Sequence, residues 1–177
     1  AAKAQELSIT ASVSWMHLLW NSEHLRSYDV NLHLDPPLGN PADQEALIRG
    51  LETGVIDAIA VDHHPYTYEE KTIPFAEAPP GAIGLDIAFS ALWSAFVDTQ
   101  RWSAPDLWVK LSTQPLQILG INPVEIAAGQ ATDLTLFDPQ RTWNVNAKSL
   151  KSLSVNTPYF GKTLTGRVVK TWSSALA

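Results

Sequence analysis

The sequence predicts an α/β fold that contains a parallel β-sheet and is followed by a small β region. Ser8 to Ser14 alternates apolar and polar residues, as a half-buried strand does. Residues 40–54 have the signals of a helix, and residues 55–61 form a β-branched run typical of a strand buried on both faces. A strand, a helix and a second strand in close succession indicate a βαβ unit, in which the two strands are parallel.

The predicted helix is well marked at both ends. Asn40 is a favourable N-cap and Pro41 suits the first helical position. Asp43 lies near the positive end of the helix dipole, and Gly54 is a typical residue at which a helix ends. Residues 35–41, just before the helix, contain two consecutive prolines and are predicted to be an extended loop.

The rest of the chain is predicted to contain three more helices and then short strands. The helices are expected at residues 84–97, after a cap at Ser103, and at residues 115–119. Short alternating strands follow within residues 133–145 and 164–172. Because so few strands cannot bury both faces of a sheet, strands from elsewhere should complete it. We therefore divide the chain into an α/β part, residues 1–122, and a β appendage, residues 123–177.

Composition excludes several classes of protein. The 177 residues are 45% hydrophobic and 17% charged, which predicts a folded core. The net charge is −6 and there is no Lys/Arg run, so nucleic acid is excluded as a partner. No segment approaches the ~20 apolar residues that span a membrane. The chain has no cysteine, which leaves His, Asp and Glu as metal ligands and fits a reducing compartment such as the cytoplasm.

The start of the sequence and its tryptophans lead to two further expectations. The first residues lack an initiator Met and resemble the end of a helix, so we expect the beginning of the protein to lie outside this sequence. Seven tryptophans are many for this length, and we expect them to pack in a core or an interface rather than to stack on a ligand.

The segment Asp62-His63-His64-Pro65-Tyr66 is the strongest candidate for a functional site. It follows the second predicted strand, and parallel sheets place their chemistry at the C-terminal ends of strands. The carboxylate of Asp62 can bind a metal and accept a proton from metal-bound water, or it can cap the next turn. His63 and His64 are adjacent, so on an extended chain their side chains point to opposite sides. We expect hydrogen-bonded histidines here rather than a pair on one metal.

Other candidate sites have weaker support. His17, His24 and His33 are spaced by seven and nine residues, which matches no known set of ligands, and we predict structural or surface roles for them. The sequence contains no nucleophile elbow and no phosphate-binding glycine motif. Residues 67–81 form a long proline-rich loop of the kind that often covers a functional site.

Several segments, taken together, resemble the class I dihydroorotases of the amidohydrolase superfamily. In chain order they are Tyr28-Asp29-Val30-Asn31, Asp35-Pro36-Pro37-Leu38, Asp43-Gln44-Glu45-Ala46-Leu47-Ile48, residues 54–63, Glu69-Glu70-Lys71, residues 74–79, Gly84-Leu85, residues 111–115, residues 129–136, Asn156-Thr157-Pro158-Tyr159 and Gly166-Arg167-Val168-Val169. The resemblance runs from about Ser8 to Trp172. It implies that residues 1–122 are the second part of a TIM-like (β/α) barrel. Residues 123–177 would supply the C-terminal strands of a small β-sandwich built from both chain ends.

The resemblance also implies an activity. Dihydroorotases are zinc-dependent hydrolases of pyrimidine biosynthesis that open or close the cyclic amide linking dihydroorotate and carbamoyl aspartate. Asp62 falls on the aspartate of their Asp-His-x-Pro-His motif, which is a metal ligand and the general base. The other zinc ligands would lie in the missing N-terminal part. A cytoplasmic homo-oligomer is the expected assembly.

Four positions match substrate contacts of that family, and three of them hold a different residue. A family asparagine is Asp35, the final histidine of the motif is Tyr66, and a Phe-Gly pair is Pro80-Gly81. A carboxylate at position 35 repels an anionic substrate, and proline has no amide hydrogen to offer. Three interpretations therefore stay open: an active dihydroorotase, a non-catalytic dihydroorotase-like subunit that scaffolds aspartate transcarbamoylase, and a globular fragment with neither role.

Overall fold

The structure, a computed structural model, describes residues 3–123, 126–129 and 133–173. Strands β1 (Ser12–Ser14) and β2 (Ala58–Ala60) pair in parallel, with Val13 opposite Ile59. Helix α2 (Pro41–Glu52) lies between them in the chain. The predicted parallel βαβ arrangement is therefore confirmed.

Both strands are shorter than the predicted runs. Ahead of the ladder, Asp57 N still donates to Ala11 O at 2.8 Å, but Ala11 N donates to the Asp57 carboxylate at 2.8 Å instead of to a strand carbonyl. The same carboxylate accepts from Lys3 Nζ at 2.6 Å. Ala58 and Ile59 are buried, whereas Val55 is 63% exposed. The prediction of a strand buried on both faces holds for the centre of residues 55–61 and is wrong for their start.

The start and the end predicted for α2 are both confirmed. The Asn40 side chain accepts hydrogen bonds from the backbone N of Ala42 and Asp43, and the Asp43 carboxylate accepts one from Asn40 N at 2.9 Å. These contacts satisfy amides that have no partner inside the helix. After the helix, Gly54 has φ +73°, a conformation that glycine adopts without strain.

Short helical segments fill the space between β1 and α2. Helix α1 (Trp15–Leu19) starts directly after β1, and 3₁₀ turns follow at Ser22–Ser27 and Val30–Leu32. Trp15 is completely buried in a core that includes residues from almost every element. Trp102 and Trp143 belong to the same core, as expected for packing tryptophans, while Trp172 is 44% exposed.

The helices within and after the proline-rich loop of residues 67–81 differ in detail from the prediction. In chain order they are α3 (Tyr68–Lys71), α4 (Ala88–Leu92) with a π turn at Trp93–Val97, α5 (Ala104–Trp108) with a π turn at Val109–Thr113, and α6 (Gln114–Ile118). The short helix predicted at 115–119 is confirmed as α6, which continues directly from the π turn before it. A π turn is wider than an α turn, which lets the chain pass Pro115 without ending the helical segment.

The β appendage is an antiparallel hairpin of β3 (Leu134–Asn144) and β4 (Thr163–Trp172), in which the predicted strands at 133–145 merge into one. Ala131 and Thr132 of the resemblance lie outside the described residues. The ring of Phe137 contacts Phe89 at 4.6 Å and Trp93 at 4.8 Å, so the hairpin packs on α4 and its π turn. The domain boundary at residue 122 stays a prediction.

The parallel sheet has two strands within the described ranges, so the closed barrel also stays a prediction. No helix in the part of the chain that the structure describes is long and apolar enough to cross a membrane.

Candidate active site

A cavity of about 200 Å³ opens where the two parallel strands end. Its lining comprises Ser14, Met16, His17, Leu34, Asp35, Asp62, His64, Tyr66, Pro80, Gly81 and Ala82. Ser14 ends β1, and Asp62 lies two residues beyond β2. The structure thus brings all five predicted site residues, Asp35, Asp62, Tyr66, Pro80 and Gly81, to one cavity.

The Asp62 side chain has free acceptor atoms. Among the described residues it makes no hydrogen bond and no ion pair, and the residue is exposed. Its backbone carbonyl lies against Gly84, where a Cβ atom would collide with it. The backbone of Asp62 is therefore closely packed, while the carboxylate can still accept a proton or bind a cation.

The two neighbouring histidines point to opposite sides of the chain, as predicted. His64 lines the cavity together with Asp62. His63 is directed towards the turn before α4, where its Nδ1 accepts hydrogen bonds from Gly84 N at 3.2 Å and Leu85 N at 3.3 Å. Nδ1 is therefore unprotonated and Nε2 carries the hydrogen. His63 secures the backbone next to Asp62 instead of entering the cavity.

Side chains hold the cavity wall formed by residues 78–81. Each of three successive carbonyls accepts one hydrogen bond: Ala78 O from His33 Nδ1 at 2.7 Å, Pro79 O from Lys71 Nζ at 2.7 Å, and Pro80 O from the Tyr66 hydroxyl at 3.1 Å. Gly81 N in turn donates to His33 O at 2.7 Å. The loop predicted as a lid thus ends in a fully hydrogen-bonded wall.

Lys71 is a buried part of this wall, 9% exposed. Its ammonium also donates to Val30 O at 3.0 Å and lies 5.2 Å from the centre of the Tyr66 ring. Burial lowers the pKa of Lys71, and the negative charge of Asp29 acts in the opposite direction. The two backbone carbonyls and the aromatic ring together replace the water lost on burial.

Gly81 closes the wall against His64. Its φ is +110°, and a Cβ at this position would lie 2.7 Å from both Cβ and Cγ of His64. Only glycine fits here without displacing a residue of the cavity.

Asn156, which the sequence analysis had assigned no role, supports the site from the C-terminal part of the chain. It is 6% exposed; its Nδ2 donates to His64 O at 2.9 Å and its Oδ1 accepts from Tyr66 N at 3.2 Å. Its backbone carbonyl accepts from Ile83 N at 3.0 Å. The side-chain amide thus pairs with the peptide groups on both sides of Pro65, as a neighbouring strand would.

We expect Asn156→Asp to destabilise the protein by about 2–3 kcal/mol in urea unfolding, because an oxygen would then face His64 O and leave it without a donor. The matched control is Asn146→Asp. The Asn146 side chain accepts from Lys148 N and Ser149 N at an exposed turn, which aspartate does equally well, and water can replace the exposed bond from its Nδ2 to Asn144 O. Equal stability of the two variants would contradict a stabilising effect of the side-chain bonds from Asn156 to His64 and Tyr66.

The described residues do not form a complete metal centre. Residues 3–123, 126–129 and 133–173 contain no group of three or more His, Asp or Glu side chains that could hold a metal ion. They offer two unpaired carboxylates, Asp35 and Asp62, at the cavity. The structural role predicted for His17 agrees with the bond from its Nε2 to Pro36 O at 3.0 Å. His17 also lines the cavity, which its spacing in the sequence did not indicate.

Comparison with known proteins identifies relatives over nearly the whole chain. A "Probable dihydroorotase-like protein" from Synechocystis sp. is 45% identical over 98% of this chain and 40% of its own length. A dihydroorotase from Carboxydothermus hydrogenoformans is 40% identical over 97% of this chain and 40% of its own length. This chain is a homologue of the dihydroorotases and matches their C-terminal part. It spans about 40% of the length of these curated relatives. No protein-family profile matches it.

Solved structures share the fold of this dihydroorotase homologue. The L-hydantoinase (dihydropyrimidinase) from Arthrobacter aurescens superposes with a TM-score of 0.86 and 23% identity, over 98% of this chain and 40% of that one. The inactive dihydroorotase-like domain of the CAD-like multifunctional protein of Chaetomium thermophilum has a TM-score of 0.66 and 21% identity, over 96% and 43%. The chain thus shares its fold with part of each of these proteins.

Proposed function

We propose that the full-length protein is a zinc-dependent cyclic amidase of the dihydroorotase type, in which Asp62 is both a zinc ligand and the general base. The main support is the position of Asp62, a carboxylate without a partner in the described residues, in a cavity at the C-terminal ends of parallel strands. Dihydroorotate and carbamoyl aspartate are the substrates suggested by the names of the curated relatives. The other zinc ligands would come from outside the residues described here.

The chain's own residues have definable tasks in this proposal. Asp62 would help to hold a zinc ion, which when bound would supply Lewis-acid activation of water. The Asp62 carboxylate would accept a proton and return it to the leaving nitrogen. Asp35, Tyr66, Pro80 and Gly81 form the walls that orient the ring, and the hydrogen bonds of residues 78–81 hold those walls in place.

Two measurements on the full-length protein test this proposal. We expect purified protein to contain zinc and to hydrolyse cyclic amides, with dihydroorotate and 5,6-dihydrouracil as the first substrates. Zinc-free protein that hydrolyses neither ring, even after incubation with zinc, would contradict the proposal.

The second candidate is a non-catalytic subunit that scaffolds aspartate transcarbamoylase. The observations in its favour are the acidic side chain of Asp35 in the cavity and the fold shared with an inactive dihydroorotase-like domain. Co-sedimentation with aspartate transcarbamoylase, without zinc and without turnover, would support this candidate. For either candidate we propose a homo-oligomer in the cytoplasm, and sedimentation of the full-length protein alone measures its assembly.

A further inference from the structure

We infer that the protein binds a small phosphate ester in a second cavity, which lies between the start of α4 and the β appendage. This cavity measures about 450 Å³, within the size range of small-molecule sites, and shares no lining residue with the cavity at Asp62. Both parts of the chain line it, among them Asp86 and Ser90 from the first part and Lys151 from the second. Binding here requires neither zinc nor hydrolysis, and so goes beyond the proposed function.

The β appendage is the basic part of this acidic chain. Residues 133–173 contain six Lys or Arg and two Asp or Glu, whereas residues 3–123 contain six Lys or Arg and fifteen Asp or Glu. A positive region on an otherwise acidic protein attracts anions to its surface. Three of the six basic side chains in residues 133–173 line the second cavity, namely Lys151, Arg167 and Lys170.

The charges of the lining match a ligand with two negative charges. Lys151, Arg167 and Lys170 are balanced by a single acidic residue of the described lining, Asp86. The Asp86 carboxylate accepts hydrogen bonds from Lys151 N at 3.4 Å and Ser152 N at 3.2 Å, so its oxygens already have donors. The two remaining positive charges complement a phosphate monoester, which carries roughly −1.5 to −2 near neutral pH.

The basic groups have donors that the protein itself does not use. Within the described ranges, the ammonium groups of Lys151 and Lys170 make no hydrogen bond and no ion pair. The Arg167 guanidinium makes one bond, from Nη2 to Ser149 O at 3.1 Å, and lies 4.8 Å from the centre of the Trp143 ring. These two contacts orient the guanidinium and leave its other N–H groups for a ligand. A guanidinium held in this way can donate to two phosphate oxygens at once.

A hydroxyl on α4 adds a further donor. Ser90 is only 4% exposed and lines the cavity, and its hydroxyl has no hydrogen-bond partner among the described residues. It can therefore donate to a ligand that brings several acceptor oxygens. Leu85 and Phe89 from the same wall offer apolar surface to the organic part of an ester. The lining thus combines basic groups for the phosphate with an apolar wall for the rest of the molecule.

Titration calorimetry of the full-length protein tests this site with ribose 5-phosphate and with ribose, which lacks the phosphate. We expect ribose 5-phosphate to bind with a Kd below about 1 mM and ribose to give no signal. Binding should weaken as the salt concentration rises, because Lys151 and Lys170 are exposed.

Variants of the lining locate the bound phosphate. Lys151→Gln and Lys170→Gln should each raise the Kd about 3-fold, and the double variant about 10-fold. The matched control is Lys148→Gln, an exposed lysine of the β appendage outside the lining, which should leave the Kd unchanged. Ser90→Ala should raise the Kd about 3-fold without lowering the stability, because its hydroxyl has no partner to lose among the described residues.

Three results would overturn the inference. The first is no signal that depends on phosphate, as expected if another part of the full-length protein covers the cavity. The second is unchanged binding in the Lys151→Gln/Lys170→Gln double variant, because phosphate held elsewhere, such as by zinc at Asp62, does not need these lysines. The third is an equal loss in Lys148→Gln, which indicates general attraction to positive charge without a site. None of these measurements involves hydrolysis, so the proposed function can fail or hold independently of them.

Discussion

Replacement of Asp62 by alanine is expected to lower kcat/KM of the full-length protein for a cyclic amide by about 10³-fold or more. A general base contributes roughly 10²- to 10⁴-fold, and the proposed loss of a zinc ligand adds to this. The melting temperature should change by only about 1–2 °C, because surface changes without lost contacts stay within ±0.5 kcal/mol. The Asp62 side chain has no hydrogen-bond partner in the described residues that the substitution would remove.

Zinc content and Asp62→Asn make this experiment more specific. The asparagine variant keeps the shape of the side chain but cannot accept the proton, so it should also be inactive. Zinc content should fall in both variants if Asp62 is a ligand. A melting temperature lowered by 10 °C or more, with zinc retained, would instead identify Asp62 as a structural cap.

Local signals explain why parts of the fold were predictable. The start of α2 is set by Asn40, Pro41 and Asp43, which interact with amides within three residues of one another. The parallel pairing of β1 with β2 follows from the connection between them, since a helix returns the chain to the same edge of the sheet. The position of Asp62 at the end of β2 was predictable as well, because Asp62 directly follows the apolar run that predicts this strand.

The framework of the site was not predictable, because its contacts are distant in sequence. Asn156 reaches the peptide groups on both sides of Pro65 from about ninety positions away. His33 donates to Ala78 O from 45 positions away. No periodicity or spacing encodes such pairs, and a buried asparagine or histidine has the same sequence signature as an exposed one.

The resemblance to a known family supplied the candidate residues, and the structure adds what they contact. Tyr66 was singled out as a changed substrate contact, and its hydroxyl in fact donates to Pro80 O in the wall. The Tyr66 hydroxyl therefore supports the wall instead of being free to donate to a ligand.

Gly84→Ala is expected to destabilise the protein by about 3 kcal/mol or more, a fall in melting temperature of about 6–12 °C. The added Cβ would collide with the carbonyl oxygen of Asp62 and lie 2.8 Å from Trp15 Nε1. Neither neighbour can yield easily, because one is backbone and the other belongs to a completely buried ring.

Gly50→Ala is the matched control. Its Cβ would lie 2.9 Å from Ile56 Cδ1, the end of a flexible side chain, and alanine favours a helix over glycine by about 1 kcal/mol. Its stability should therefore stay close to that of the unchanged protein. Equal stability of Gly84→Ala and Gly50→Ala would contradict the close contact between Gly84 and the backbone carbonyl of Asp62. If Gly84→Ala folds with lowered stability, we expect activity to fall as well, because the colliding carbonyl belongs to the residue that carries the cavity carboxylate.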